Sequence, residues 1–186
     1  GNNDDVLSGE AGNDTLDGGA GTDSATFTGA GVRWQIDLAA GTARSSAITG
    51  GSFVLEDTLR SIENATTGSG NDVIIGAGLG NSVEGNTGND IVLAAGLGQN
   101  IDTGDGDDIA VALGAGNQVS AGAGQDTVYI AGALGNAFGG SGDDVLFALG
   151  SGNLLWGQEG NDVFLAQGIA SRCLATGGKL PAAVSA

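Results

Sequence analysis

Six aspartates recur at a fixed interval of 18 residues: Asp72, Asp90, Asp108, Asp126, Asp144 and Asp162. A glycine stands two positions before each, at Gly70, Gly88, Gly106, Gly124, Gly142 and Gly160. A period this short and this strict excludes most compact folds, because each unit must retrace the path of the one before it. Halfway between the aspartates lie Asn81, Gln99, Asn117, Gly135 and Asn153, amide-bearing at four of five positions. Each unit is therefore two nine-residue halves, and each half has room for one tight turn and one short strand. Two halves close a coil. Stacked coils set equivalent strands about 4.8 Å apart and in parallel, so residues one coil apart form a ladder along an edge. The fold class this predicts is all-β, a right-handed parallel solenoid with 18-residue coils.

Composition agrees with many tight turns. Of 186 residues 38 are glycine and one is proline, too much glycine for a helical bundle and without the every-third spacing of collagen. Hydrophobic residues make up 40%, so the chain does not lack the apolar surface needed to fold. The net charge is -17, and five scattered cations, Arg33, Arg44, Arg60, Arg172 and Lys179, cannot form the basic stripe that nucleic acid requires. With no histidine and a single Cys173, zinc, haem and iron–sulfur centres have no ligand set, and histidine-dependent triads are excluded. No apolar run approaches the roughly 20 residues of a membrane span. The regular spacing of the acids points instead to a hard cation bound by oxygen.

Near the start, Asp5, Asp14 and Asp23 are nine apart. Around them run Gly9-Glu10-Ala11-Gly12-Asn13-Asp14-Thr15-Leu16-Asp17 and Gly18-Gly19-Ala20-Gly21-Thr22-Asp23-Ser24-Ala25-Thr26. These match the nonapeptide G-G-x-G-x-D-x-U-x, with U apolar. Over about 1–27 and 67–165 the chain resembles the repeats-in-toxin (RTX) family of calcium-binding proteins, whose fold is the parallel β-roll. The resemblance implies calcium between successive loops of one edge. The ligands it implies are Asp5, Asp14, Asp23, Asp72, Asp90, Asp108, Asp126, Asp144 and Asp162, with glycine-loop carbonyls completing each shell. About five ions are expected between the six main loops, and one or two more around Asp5, Asp14 and Asp23. It further implies export by type I secretion, with folding outside the cell. The opposite edge, carrying Asn81, Gln99, Asn117 and Asn153, offers no charge to an ion.

Four segments follow from the pattern: 1–27 as N-terminal nonapeptides, 28–66 as a β-hairpin-like insertion, 67–165 as the main roll of six coils, and 166–186 as a cap or linker. In the insertion Val32, Trp34, Ile36 and Leu38 alternate with Arg33, Gln35 and Asp37, the period of a half-buried strand. A second apolar stretch is Phe53-Val54-Leu55. The chain opens inside a repeat, as expected of a piece of a longer protein.

If Ile74, Val92, Ala110, Val128, Leu146 and Phe164 face the interior, their neighbours face out. Those neighbours are Val73, Ile75, Ile91, Leu93, Ile109, Val111, Thr127, Tyr129, Val145, Phe147, Val163 and Leu165, of which only Thr127 is neither apolar nor aromatic. A face of this kind predicts a protein partner or self-association. Adjacent acids such as Asp107-Asp108 lie on opposite faces of a strand and make no catalytic pair. The expected function is a secreted, non-enzymatic calcium-binding module, structural or adhesive, presenting that face at a cell surface. The alternative is the non-catalytic module of a larger secreted metalloprotease, lipase or polysaccharide epimerase.

Overall fold

A computed structural model describes residues 1–10, 12–47 and 55–175. In chain order the strands begin with β1 (Val6–Leu7), β2 (Thr15–Asp17), β3 (Ser24–Ala30), β4 (Val32–Asp37), β5 (Thr42–Ala47), β6 (Leu55–Arg60) and β7 (Asn64–Ser69). There follow β8 (Val73–Leu79), β9 (Ser82–Glu84), β10 (Ile91–Leu97), β11 (Asn100–Asp105), β12 (Ile109–Leu113) and β13 (Gln118–Ala123). The last are β14 (Thr127–Ala131), β15 (Asn136–Ser141), β16 (Val145–Leu149), β17 (Leu154–Glu159), β18 (Val163–Gln167) and β19 (Arg172–Leu174). They form two stacked sheets. The first runs β1-β3-β7-β9-β11-β13-β15-β17-β19, and the second β18-β16-β14-β12-β10-β8-β4-β5-β6-β2. Among the described residues no helix is long and apolar enough to cross a membrane.

From β8 onward the chain alternates between the sheets, and every strand pairs in parallel with the strand one coil later. Ile74, Val92, Ala110, Val128, Leu146 and Phe164 fall on one register line, with Ile36 of β4 below them. All seven are buried. Val83, Ile101, Val119, Ala137 and Leu155 form the facing line from the first sheet and are equally buried. The core is thus two columns of branched side chains and alanines, each touching its copy one coil away.

The segment that interrupts the repeats enters the second sheet. β4 pairs in parallel with β8, β5 runs antiparallel to both β4 and β6, and β6 pairs in parallel with β2. Trp34 and Ile36 of β4 point inward, and the Trp34 ring packs on Phe27 with centroids 4.8 Å apart. The meander lies in the plane of the sheet, so among the described residues it leaves the sheet's outer face open. Phe53 and Val54 of the second apolar stretch lie outside the described residues, and Leu55 opens β6. At the other end β19 pairs with β17 and adds a rung to the first sheet; residues 176–186 lie outside the described part.

Close stacking fixes where glycine is obligatory. Gly114 has φ +120°, and a Cβ built on it would sit 1.7 Å from the carbonyl oxygen of Gly96 in the preceding coil. Gly116, two residues on, has φ +72° but meets nothing within 4 Å. Gly116→Ala should therefore cost only the left-handed backbone penalty, about 1–2 kcal/mol. Gly114→Ala must in addition push two coils apart, and we expect a loss of at least ~3 kcal/mol. Denaturant unfolding of both variants in saturating calcium tests this; equal losses would show that coil spacing tolerates a methyl at Gly114.

Candidate metal edge

Each coil crosses between the sheets twice, and each crossing turns one side chain of the ladder inward. On the edge that leads into the second sheet these are Asp72, Asp90, Asp108, Asp126, Asp144 and Asp162, all buried. One carboxylate oxygen of each has a fixed partner. Asp90 Oδ1 accepts the backbone N–H of Asp72 at 2.7 Å, and Asp108 Oδ1 that of Asp90 at 2.7 Å. The series continues from Asp108 N–H to Asp126 at 2.8 Å, Asp126 N–H to Asp144 at 2.9 Å and Asp144 N–H to Asp162 at 3.2 Å. Asp72 Oδ1 closes it below by accepting the N–H of Trp34 at 2.6 Å. Each aspartate thus takes the backbone N–H of the coil before it, which explains why the residue must be short and bear an acceptor.

The second oxygen has no partner. Oδ2 of Asp72, Asp90, Asp108, Asp126, Asp144 and Asp162 is buried and accepts no hydrogen bond. In three coils it points into space that glycine keeps open, while Thr67, Thr103 and Ala121 hold the equivalent position before Asp72, Asp108 and Asp126. A Cβ on Gly85 would lie 2.4 Å from Asp90 Oδ2, one on Gly139 2.2 Å from Asp144 Oδ2, and one on Gly157 1.8 Å from Asp162 Oδ2. A buried, unpaired carboxylate oxygen costs several kcal/mol unless a cation or a proton meets it. Among the described residues no three acidic side chains converge on one point. A site between two coils therefore has at most two carboxylates, and backbone carbonyls of the glycine turns must fill the rest of the shell. That all-oxygen, mixed carboxylate–carbonyl set suits calcium, which takes six to eight oxygens in flexible geometry.

The N-terminal aspartates divide between the two edges. Asp14 lies on the same edge as Asp72, and its N–H is taken by Oδ1 of Asp57 at 2.9 Å. Asp5 and Asp23 lie on the opposite edge, where Asp23 Oδ1 accepts the Asp5 N–H at 2.8 Å and Glu63 Oε2 accepts the Asp23 N–H at 2.9 Å. Asp23 is fully buried and its Oδ2 is again unpaired. Above Glu63 this same edge continues as the amide series from Asn81. Asp57 and Glu63 are ladder members that the spacing concealed, since they stand 43 and 40 residues after their partners. Only the pairing of β6 with β2 and β7 with β3 could reveal them.

Burial drives five of the ladder carboxyls upward. Asp90 and Asp126 are raised to about 7 and Asp144 to about 6, first by loss of water and then by like-charged neighbours one coil away. The backbone N–H each accepts pulls the other way but does not win. Asp72 and Asp108 are raised as well by burial, offset in part by the backbone bond and by the hydroxyl of Thr67 or Thr103 beside them. These threonines occupy the first glycine position of their nonapeptides, and their hydroxyls also donate to Gly85 O at 3.0 Å and Ala121 O at 2.9 Å.

A family model, the RTX calcium-binding nonapeptide repeat in 4 copies, matches residues 1–25, 62–92, 100–133 and 138–168, well over half of the chain. The chain belongs to the RTX calcium-binding repeat family. A comparison with curated proteins finds no match. Membership makes the chain a calcium-binding β-roll module. The residues of the aspartate edge fit that ion: Oδ2 of the six aspartates would supply charge, and the turns would supply carbonyls. A bound calcium there would neutralise the stacked carboxylates and couple ion uptake to folding.

The raised carboxyls give a pH dependence whose sign depends on the ion. Without calcium, a group at 3.8 in the unfolded chain and about 7 in the roll stabilises the roll fully below 3.8. That contribution is lost as pH rises through about 7. In chelator, with trimethylamine N-oxide to favour the folded state, the roll should therefore melt at a higher temperature at about pH 5 than at about pH 8. In saturating calcium the order should reverse, because protons compete for the ligand oxygens. Thermal melts under the four conditions check this; a chelated protein that is more stable at the higher pH would contradict the unpaired-oxygen account.

Proposed function

We propose that this chain is a secreted, non-enzymatic structural or adhesive module that folds on binding calcium and presents an apolar sheet face for assembly or docking at a cell surface. The observation that carries the reading is the outer face of the second sheet. Ile91, Leu93, Ile109 and Val163 are 37–50% exposed. Val73, Ile75, Val111, Tyr129, Val145, Phe147 and Leu165 beside them are only partly covered. A third row adds exposed Leu113 and Leu149. From β8 to β18 no charged side chain points out of this face, so the net charge of -17 resides on the edges, the first sheet and the lower coils. Six coils at ~4.8 Å by a strand of ~15 Å give roughly 400–500 Å². That lies at the upper end of what monomers expose, and below the ~800 Å² per partner of a stable dimer. A face of this size suits repeated lateral contacts, in which many weak unions add.

Repeats of this family are typical of secreted proteins, which supports an extracellular setting and the type I route. A chain kept unfolded where calcium is scarce and folded where it is plentiful needs sites of extracellular strength, about 10⁻⁴–10⁻³ M. The six aspartates of the main ladder define five gaps between coils. At free calcium ten times Kd each filled gap contributes about 1.4 kcal/mol, so five contribute about 7. The absence of histidine, and of any cation on the aspartate and amide rows, supports a role without catalysis.

The test is circular dichroism and sedimentation of the full chain during calcium titration, with magnesium as control and Leu93→Glu/Val111→Glu alongside. Leu93 and Val111 are register neighbours at the middle of the face. We expect a calcium-specific gain of β signal in the sub-millimolar to millimolar range. We expect the sedimentation coefficient of the parent to rise with it, while the charged variant folds at a similar calcium midpoint and stays monomeric. A parent that is folded and monomeric in saturating calcium would sink self-assembly and favour the alternative, a non-catalytic module carried by a secreted enzyme.

A further inference from the structure

The two edges of the roll solve the same problem in different ways. On the aspartate edge Oδ1 takes a backbone N–H from the neighbouring coil and Oδ2 is left as a bare acceptor. On the opposite edge the amides repeat the first half of this arrangement. Asn117 Oδ1 accepts the N–H of Gln99 at 2.9 Å, and Asn153 Oδ1 accepts the N–H of Gly135 at 2.9 Å, each from one coil before. The residues are as deeply buried as the aspartates: Asn81, Gln99, Asn117 and Asn153 are 1–3% exposed.

The second half differs by one atom. Where aspartate has a second oxygen, asparagine has an NH₂, and because Oδ1 is already an acceptor the nitrogen must be the other branch. That nitrogen finds turn carbonyls. Across to the preceding coil, Asn153 Nδ2 donates to Gly132 O at 3.2 Å and Gln99 Nε2 to Gly78 O at 3.1 Å. Within their own coils, Asn117 Nδ2 donates to Gly114 O at 3.2 Å and Asn81 Nδ2 to Ala77 O at 3.3 Å. Gln99 Oε1 is buried without a partner. At the top Ser171 does both tasks with one hydroxyl, accepting from Asn153 N–H at 3.3 Å and donating to Gly150 O at 3.2 Å. Gly78, Gly114, Gly132 and Gly150 belong to one row, each a whole number of coils apart.

We infer that from Asn81 to Ser171, at every rung but Gly135, the amide edge is a metal-free clasp, in which a side-chain NH₂ or hydroxyl occupies the role that calcium has on the aspartate edge. The chemistry is an exchange of equivalents. A carboxylate facing carbonyl oxygens sets acceptor against acceptor and needs a cation between them; an amide facing the same atoms makes a hydrogen bond. Over these coils calcium therefore loads one edge only. The lower part of the amide edge, with Asp5, Asp23 and Glu63, retains acid and lies outside the clasp.

The experiment compares the full-length parent with Asp108→Asn/Asp126→Asn and with Gln99→Asp/Asn117→Asp, neighbouring rungs on each edge. Calcium stoichiometry is counted by native mass spectrometry, and thermal melts are recorded in chelator with trimethylamine N-oxide added, so that the roll folds without calcium. We expect Asp108→Asn/Asp126→Asn to lose at least one ion yet melt higher than the parent in chelator, because two bare acceptors become donors. We expect Gln99→Asp/Asn117→Asp to melt lower in chelator and to gain at least one ion. A doubly amidated variant no more stable than the parent in chelator overturns the inference, and so does a Gln99→Asp/Asn117→Asp protein that folds in calcium without an added ion. The inference rests on calcium at the aspartate edge, but the two fail separately. A parent that takes up no calcium would refute the ion ladder, while the chelator melts, free of calcium, still decide the clasp.

Discussion

The hydrogen bond from a backbone N–H to the aspartate of the next coil is the contact on which the roll depends. It is repeated from Trp34–Asp72 up to Asp144–Asp162, and it locks the register of each coil against its neighbour. The same bond creates the difficulty that the rest of the structure must resolve. By drawing every carboxylate inward it stacks negative charge at the spacing of the coils, roughly 5 Å. At an effective dielectric near 20, neighbouring unit charges at that separation repel by about 3–4 kcal/mol. The raised carboxyls of Asp90, Asp126 and Asp144 are the same repulsion and desolvation seen as proton affinity. A cation relieves it; so does a proton; so does an amide in place of the acid.

In three of the six coils glycine leaves room for that resolution inside the turn. At Gly85, Gly139 and Gly157 a methyl group would fill the space in front of the unpaired oxygen. At Gly114 it would collide with the coil below. Where threonine replaces the first glycine of a nonapeptide, at Thr67 and Thr103, the new side chain brings a hydroxyl that hydrogen-bonds across to the next coil. At Ala121 a methyl group takes that place. Glycine here is less a marker of flexibility than of two surfaces in close approach.

Much of this was legible in the sequence because a solenoid turns distance along the chain into position in space. An 18-residue period identifies one edge, its half-period identifies the other, and the alternation after each aspartate separates Ile74 and Val92, which are buried, from Ile91 and Leu93, which are not. The reading lost its footing where the period breaks. Asp57 and Glu63 join the ladders through the meander β4–β6, which removes any fixed spacing from their partners. The nine-residue spacing of Asp5, Asp14 and Asp23 suggested one local group, yet a half-period is half a coil and sets Asp14 on the edge opposite the other two. The donors of the amide edge were also hidden, since composition distinguishes charge from no charge but not an idle amide from one that bridges coils.

Edges and faces carry separate duties in this architecture, and calcium joins them. The apolar residues of the outer face are spaced along the chain as Val73, Ile91, Ile109, Val145 and Val163, one per coil. In an unfolded chain they form no patch. They become a continuous surface only when successive coils lie in register, and register is set by the aspartate bonds, whose charge a calcium ion on that edge would neutralise. An edge stabilised without metal, as the amides are argued to be, would hold neighbouring coils near one another before the ions arrive. Loading the opposite edge would then require closing a preformed turn instead of ordering a free loop, which lowers the entropic cost of each successive site. On this view the unequal edges make the stack cooperative: one side supplies continuity along the roll, and the other makes completion of the apolar face conditional on calcium.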